Sequence, residues 1–128
     1  MDLKDRKVLL VEDDVLLAGL LGEKLAESFT VSRAGTGEEA LALAQKEHPS
    51  LILLDILLPG MDGFEVLKKL KENAETKNIP VIVLTNLSAK ADMDKAKELG
   101  AVEFVVKISL SPDEVVTLIE QILSGKKS

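Results

Sequence analysis

The sequence predicts an α/β domain: a doubly wound, five-stranded parallel sheet of order 2-1-3-4-5, covered by five helices. Three observations predict it. Five short aliphatic runs recur along the 128 residues, each is followed by a segment of helical periodicity, and each crossover is short enough to pack back on the sheet. A continuous apolar run, as opposed to an alternating one, marks a strand buried on both faces.

The first strand is expected over Lys7 to Val11, and the helix after it over Val15 to Ser28, with Leu17, Leu21 and Leu25 at inward spacing. Thr30 to Arg33 supplies the second strand. Gly37 to Glu47 supplies the second helix, opened by a Thr36–Glu39 capping box and turning Ala40, Leu41 and Ala44 inward. His48 before Pro49 closes it and reads as structural. The third strand, Leu51 to Leu54, runs into Asp55 and then the turn residues Pro59, Gly60, Asp62 and Gly63. A helix from Gly63 turns Phe64, Leu67 and Leu70 inward. Pro80 to Leu84 is the fourth strand, Ser88 to Leu99 the fourth helix, and Glu103 to Val106 the fifth strand. Ser111, Pro112 and Glu114 provide N-cap, N1 proline and N3 glutamate for the last helix.

In this strand order the ligand crevice lies at the carboxyl ends of strands 1 and 3. Past the strand ends come Glu12 and Asp13, Asp55, Thr85 and Lys107. Singly, each has a plain structural reading: Asp13 or Asp14 as helix cap, Thr85 as strand-end hydroxyl, Lys107 extended into solvent. Together they form one rim. Three carboxylates a few Å apart repel by about 4 kcal/mol per pair at an effective dielectric of ~20, so the site needs a cation. An all-oxygen site suits Mg²⁺. Asp55 could then act as a nucleophile toward a phosphoryl group, with Lys107 and Thr85 stabilising its oxygens.

These motifs resemble the response-regulator receiver domain of two-component signalling, along essentially the whole chain and in the stand-alone, chemotaxis-receiver manner. LLVEDD carries Glu12 and Asp13, LILLDILLPGMDG carries Asp55, VIVLT carries Thr85, and GAVEFVVK carries Lys107. The resemblance implies a flavodoxin-like receiver as one domain over residues 1–128. It implies Asp55 as phosphoacceptor, and Mg²⁺ held by Asp13, Asp55 and the Leu57 carbonyl, with Glu12 acting through water. It further implies a sensor histidine kinase or phosphotransfer protein as donor, and Thr85 and Phe104 as switch residues. Such a module is a signalling phosphoacceptor, not an enzyme acting on other substrates. Its switched surface would lie around the fourth helix, fifth strand and fifth helix.

Two positions depart from the family pattern. Ile108 follows the lysine where proline in a cis peptide is usual; a non-proline cis bond costs ~3 kcal/mol, so a trans bond and an altered loop are expected. Asn86 follows Thr85 where a small residue is usual. Leu57 and Leu87, apolar at positions that tune water access in the family, imply slow hydrolysis of the acyl phosphate. The fourth helix, with Ala89, Ala91, Met93 and Ala96, should bury little and hold weakly. Val115, Val116, Leu118, Ile119, Ile122 and Leu123 cover more than one face of the last helix, a candidate strip for a homodimer or a downstream protein.

Composition narrows the alternatives. A net charge of −6 argues against direct nucleic-acid binding and against an anionic membrane surface, with Lys126 and Lys127 too few to alter that. No cysteine is present, and the apolar run after MDLKDRK is too short for a signal peptide, so a cytoplasmic protein is expected. Gly35, Gly37 and Ala40 fit a dinucleotide-binding G-x-G-x-x-A, but Glu38 and Glu39 occupy the pyrophosphate position. An aspartyl-nucleophile phosphatase is the nearest enzyme class, with Leu57 where a second Asp is common. A non-signalling interaction module, its acidic cluster merely capping, is the third reading.

Overall fold

The computed structural model describes residues 6–125; Lys126 and Lys127, and most of the MDLKDRK segment, lie outside them. The elements follow as β1 Lys7–Val11, α1 Val15–Ala26, β2 Thr30–Ala34, α2 Gly37–Glu47, β3 Leu51–Leu54, α3 Gly63–Glu72, β4 Val81–Thr85, α4 Lys90–Glu98, β5 Glu103–Val106 and α5 Pro112–Leu123. The five strands form one parallel sheet of order β2-β1-β3-β4-β5, as the run of βα units predicts.

The apolar runs divide between two cores because successive strand residues face opposite ways. Leu9, Val11, Ile52, Leu54, Val81 and Val83 pack with Ala40, Ala44, Phe64, Leu67, Leu70 and Ala96 of α2, α3 and α4. Val8, Leu10, Leu51, Leu53, Ile82, Leu84 and Val105 pack with Ala18, Leu21, Leu25, Val115, Val116 and Ile119 of α1 and α5. The central strands β1, β3 and β4 are thus sandwiched, which explains why they read as unbroken aliphatic runs.

Boundaries moved where backbone hydrogen bonding overrode pattern. α1 ends at Ala26, not Ser28, because the Glu27 and Ser28 N–H groups turn to Lys24 and Leu25 in tighter i→i−3 bonds. β4 starts at Val81, since Pro80 lacks an N–H, although its carbonyl accepts from Ile52. At its other end β4 runs one residue past Leu84 to include Thr85, which pairs with Val106 of β5. α4 begins at Lys90 with Ala89 as a cap that has no side-chain acceptor, whereas Ser88 was the expected start. The α5 capping box is complete, but Glu39 in α2 reaches the Gly35 N–H instead of the Thr36 N–H.

Of α5, Val115, Val116 and Ile119 are buried while Leu118, Ile122 and Leu123 are half-buried. The strip anticipated there is therefore only partly covered. A hollow of 530 Å³ lies between it and β5, lined by Phe104, Val106, Leu110 and Leu118 among others. No helix among the described residues is long and apolar enough to cross a membrane.

Candidate functional site

Strand register assembles the site. Val11 pairs with Leu54, and Leu54 with Val83, so the next residues of β1 and β3, Glu12 and Asp55, emerge side by side at the sheet's carboxyl edge. The Asp55 N–H bonds to the Val11 carbonyl at 3.0 Å, carrying the pairing one residue past the strand. Carboxylate oxygens of Glu12, Asp13 and Asp55 all lie within 4.8 Å of one another. Glu12 and Asp55 are buried, at 6% and 4% exposure, whereas Asp13 is exposed.

Local turn chemistry decides which acids are free. Asp14, not Asp13, caps α1: its Oδ1 accepts from Leu16 and Leu17 N–H at 3.0 and 3.2 Å. Glu12 Oε2 accepts the Asp14 N–H at 3.1 Å. Asp55 Oδ1 accepts the Leu57 N–H at 3.0 Å, a tight Asp-led turn. Asp13 is left to face the site.

Lys107 comes in from the end of β5 and reaches both buried acids, its Nζ 2.5 Å from Glu12 Oε1 and 2.8 Å from Asp55 Oδ2. Burial alone would lower the lysine pKa, but the ion pairs with Asp55 and Glu12 outweigh it and hold the ammonium above its ordinary value. At Glu12 the balance falls the other way: burial, aided by the Asp55 charge, pushes the carboxyl up despite Lys107. By formal count the cluster sets three carboxylates against one ammonium.

Thr85 closes β4, fully buried, its hydroxyl oxygen accepting the Leu87 N–H at a long 3.5 Å. Phe104 stands in register with Val83, inside the sheet and away from the rim, half-buried between the 530 Å³ hollow and a second of 410 Å³ against α4. Asn86 is exposed. Ile108 follows a trans peptide, as expected, and lies in a single 3-10 turn, Lys107–Ser109, with its side chain 89% exposed.

The dinucleotide reading loses its structural support. A Cβ on Gly37 would lie 2.7 Å from Val66 Cγ2, so this glycine exists to seat α2 against α3, and Glu39 already occupies the Gly35 N–H. His48 ends α2 in the left-handed conformation, φ 47°, its N–H on the Ala44 carbonyl, in keeping with a structural role.

Sequence reasoning missed two features. One is Gly63, whose added Cβ would sit 2.4 Å from Ile56 Cα and 2.6 Å from the Asp55 carbonyl oxygen, so α3 starts in backbone contact with the Asp55 turn. The other is an apolar rim: Val15, Leu16, Leu20, Leu57 and Ile108 are 53–89% exposed. Leu16 and Leu20 signalled it, since they repeat at i, i+4 one position off the inward Leu17 and Leu21.

A family model for the response regulator receiver domain matches residues 8–120. The chain belongs to the response regulator receiver domain family. Among its relatives, the polar-differentiation response regulator DivK of Brucella ovis is 38% identical over 120 residues, covering 93% of this receiver and 94% of DivK. The response regulator PleD of Caulobacter vibrioides is 43% identical over 102 residues, 79% of this receiver but 22% of PleD. The receiver spans about half or less of the length of several curated relatives it matches. The Mn²⁺-bound form of response regulator Rcp1 superimposes with a TM-score of 0.79 at 34% identity, covering 91% of this receiver and 93% of Rcp1. The acidic cluster of Glu12, Asp13 and Asp55 is thus of the kind by which receivers hold a divalent metal. Receivers are typically phosphoacceptor signalling modules rather than enzymes.

Proposed function

We propose that residues 1–128 act as a single receiver domain whose Asp55 accepts a phosphoryl group from a phosphohistidine of a sensor histidine kinase or phosphotransfer protein. The observation that carries this reading is the Asp55 carboxylate itself: buried at the sheet edge, beside two other acids, with Lys107 on one oxygen and the Leu57 N–H on the other. In the transfer, an Asp55 oxygen forms the new O–P bond as the donor's N–P bond breaks, and the imidazole nitrogen leaves with the electron pair. Lys107 neutralises the phosphoryl oxygens, and the Thr85 hydroxyl donates to one of them.

An all-oxygen donor set fits a hard divalent cation, and Mg²⁺ is the one proposed. Asp13, Asp55 and the Leu57 carbonyl would hold it, with Glu12 through water. When bound it supplies positive charge to the phosphoryl oxygens.

A protein donor is favoured by the apolar rim. Val15, Leu57 and Ile108 are exposed and each lies within two residues of Asp13, Asp55 or Lys107, so large hydrophobics flank the site residues in a way that suits a docking protein. Activation is a population shift at α4, β5 and α5, with Thr85 and Phe104 as switch residues; the hollows on both sides of Phe104 give its ring room to move. The 530 Å³ hollow beside α5 is the proposed seat of a homodimer or downstream contact. The net charge of −6 supports a reading in which neither nucleic acid nor an anionic membrane is a direct partner, and the proposed kinase donor is in keeping with a cytoplasmic protein.

The test is intact-mass spectrometry after incubation with Mg²⁺ and acetyl phosphate. One added phosphoryl group is expected, absent in Asp55→Asn and with chelator. Labelling that persists in Asp55→Asn would overturn the assignment.

A further inference from the structure

α4 is the least anchored helix of the fold. Its cap, Ala89, offers no side-chain acceptor to the first turn, and Ala96 is its only fully buried residue. The Lys90–Asp94 ion pair, 2.9 Å, lies within the helix and ties it to nothing else. One polar side chain does reach out: the Lys95 ammonium stands 4.4 Å from the centroid of the Phe64 ring. That distance is within cation–π range.

Phe64 is not an arbitrary partner. Its ring is buried in the core beneath α3 and α4, and its N–H is fixed by Asp62 Oδ1 at 2.6 Å. The preceding Gly63 is pressed against the backbone of Asp55 and Ile56, and its N–H bonds to the Ile56 carbonyl at 2.9 Å. Asp55, Ile56, Gly63, Phe64 and Lys95 thus form one unbroken chain of contacts from the phosphoacceptor turn to α4, none of whose links is Thr85 or Phe104.

We propose that the Lys95–Phe64 contact is a latch that holds α4 in place and passes to it the state of the Asp55 turn. Its regulatory half rests on the phosphoacceptor reading. Loading Asp55 draws its oxygens away from the Leu57 N–H and Lys107, loosens residues 56–62, shifts the start of α3 and weakens the latch.

Amide hydrogen exchange across Lys90–Glu98 in the full chain tests both halves. Without ligand, Lys95→Met and Phe64→Leu should each speed exchange in α4 about threefold, and the double variant should be no faster than either alone. Lys95→Arg, which keeps a cation, should retain the slow rate. Multiplicative effects in the double variant, or loss of protection in Lys95→Arg equal to that in Lys95→Met, would overturn the latch. With Mg²⁺ and beryllofluoride as the phosphoryl mimic, wild-type α4 should speed up about threefold while Lys95→Met stays unchanged. An equal response in both would overturn the coupling. Absence of any α4 response in wild type that gains a phosphoryl group on Asp55 by intact mass would overturn the coupling, whereas failure to gain that group would overturn the phosphoacceptor reading and the coupling with it.

Discussion

Lys107 Nζ lies 2.5 Å from Glu12 Oε1, and the same ammonium lies 2.8 Å from Asp55 Oδ2. One lysine therefore serves as internal counter-ion to two buried acids that a divalent cation would also seek. Lysine and metal compete for the same negative charge. Replacing Lys107 by Met should tighten Mg²⁺ binding by roughly fivefold, about 1 kcal/mol, once the Coulomb gain is reduced by solvent screening. Calorimetric titration checks this, and weaker binding in the variant would show that the lysine organises the acids instead of competing for the metal.

The raised Glu12 carboxyl makes stability of the metal-free protein rise toward acid. Between its raised folded pKa and the unfolded value near 4.5, the folded state binds the extra proton, so unfolding free energy falls as pH increases through that window. Lys107 has the same sense at the alkaline end: raised above 10.5 in the fold, its contribution is whole below that value and is lost as pH climbs through the folded value. Urea unfolding with chelator should show wild type gaining on Glu12→Gln as pH drops toward 4.5. Parallel profiles would remove Glu12 as the source.

Two glycines should respond oppositely to alanine. At Gly63 the new methyl meets backbone of Ile56 and Asp55, which cannot yield, so Gly63→Ala should cost about 3 kcal/mol or more and disturb the Asp55 turn. In mid-α1, Gly19 has nothing within 4 Å of an added Cβ, so Gly19→Ala should stabilise by roughly 0.5–1 kcal/mol. Denaturant midpoints of the two variants decide it.

His48 sits at φ 47° ahead of Pro49, a conformation that costs a non-glycine residue about 1 kcal/mol. His48→Gly should raise the thermal midpoint by a few degrees. An unchanged or lower midpoint would mean that the imidazole makes a compensating contribution.

Leu57 is 53% exposed two residues past Asp55, and Leu87 is half-buried two past Thr85. With apolar groups there, the acyl phosphate should hydrolyse slowly. Leu57→Asn should shorten its lifetime severalfold, read by phosphate release after loading.

The fold was legible because two-sided burial leaves a strong mark: strands such as LILL and VIVLT have both faces covered, so their apolar runs are unbroken. The acids were legible for the related reason that a carboxylate ending such a run has no packing use. What the sequence left hidden was partner choice at short range. Nothing in EDD tells which acid will cap α1, and the backbone gave that task to Asp14. Nor could spacing show that Lys107 would bridge Glu12 as well as Asp55, since that depends on how β5 docks, two strands from β3 and three from β1. Helix α4 was correctly read as weakly buried, but its contact with Phe64 pairs residues thirty-one apart with no periodic signal.

Chain order gives the Lys107 pairing a consequence for biosynthesis. Glu12 and Asp55 become neighbours as soon as β1 and β3 pair, within the first half of the chain, whereas their counter-ion follows β5, the last strand and one edge of the sheet. A nascent domain folding from its N-terminal side would therefore hold two buried acids with no lysine to balance them. Docking of the final strand relieves that repulsion, so the last step of assembly gains an electrostatic pull that the earlier strands lack. A divalent ion present during synthesis would fill the same role sooner, making cation supply a factor in how fast this domain matures.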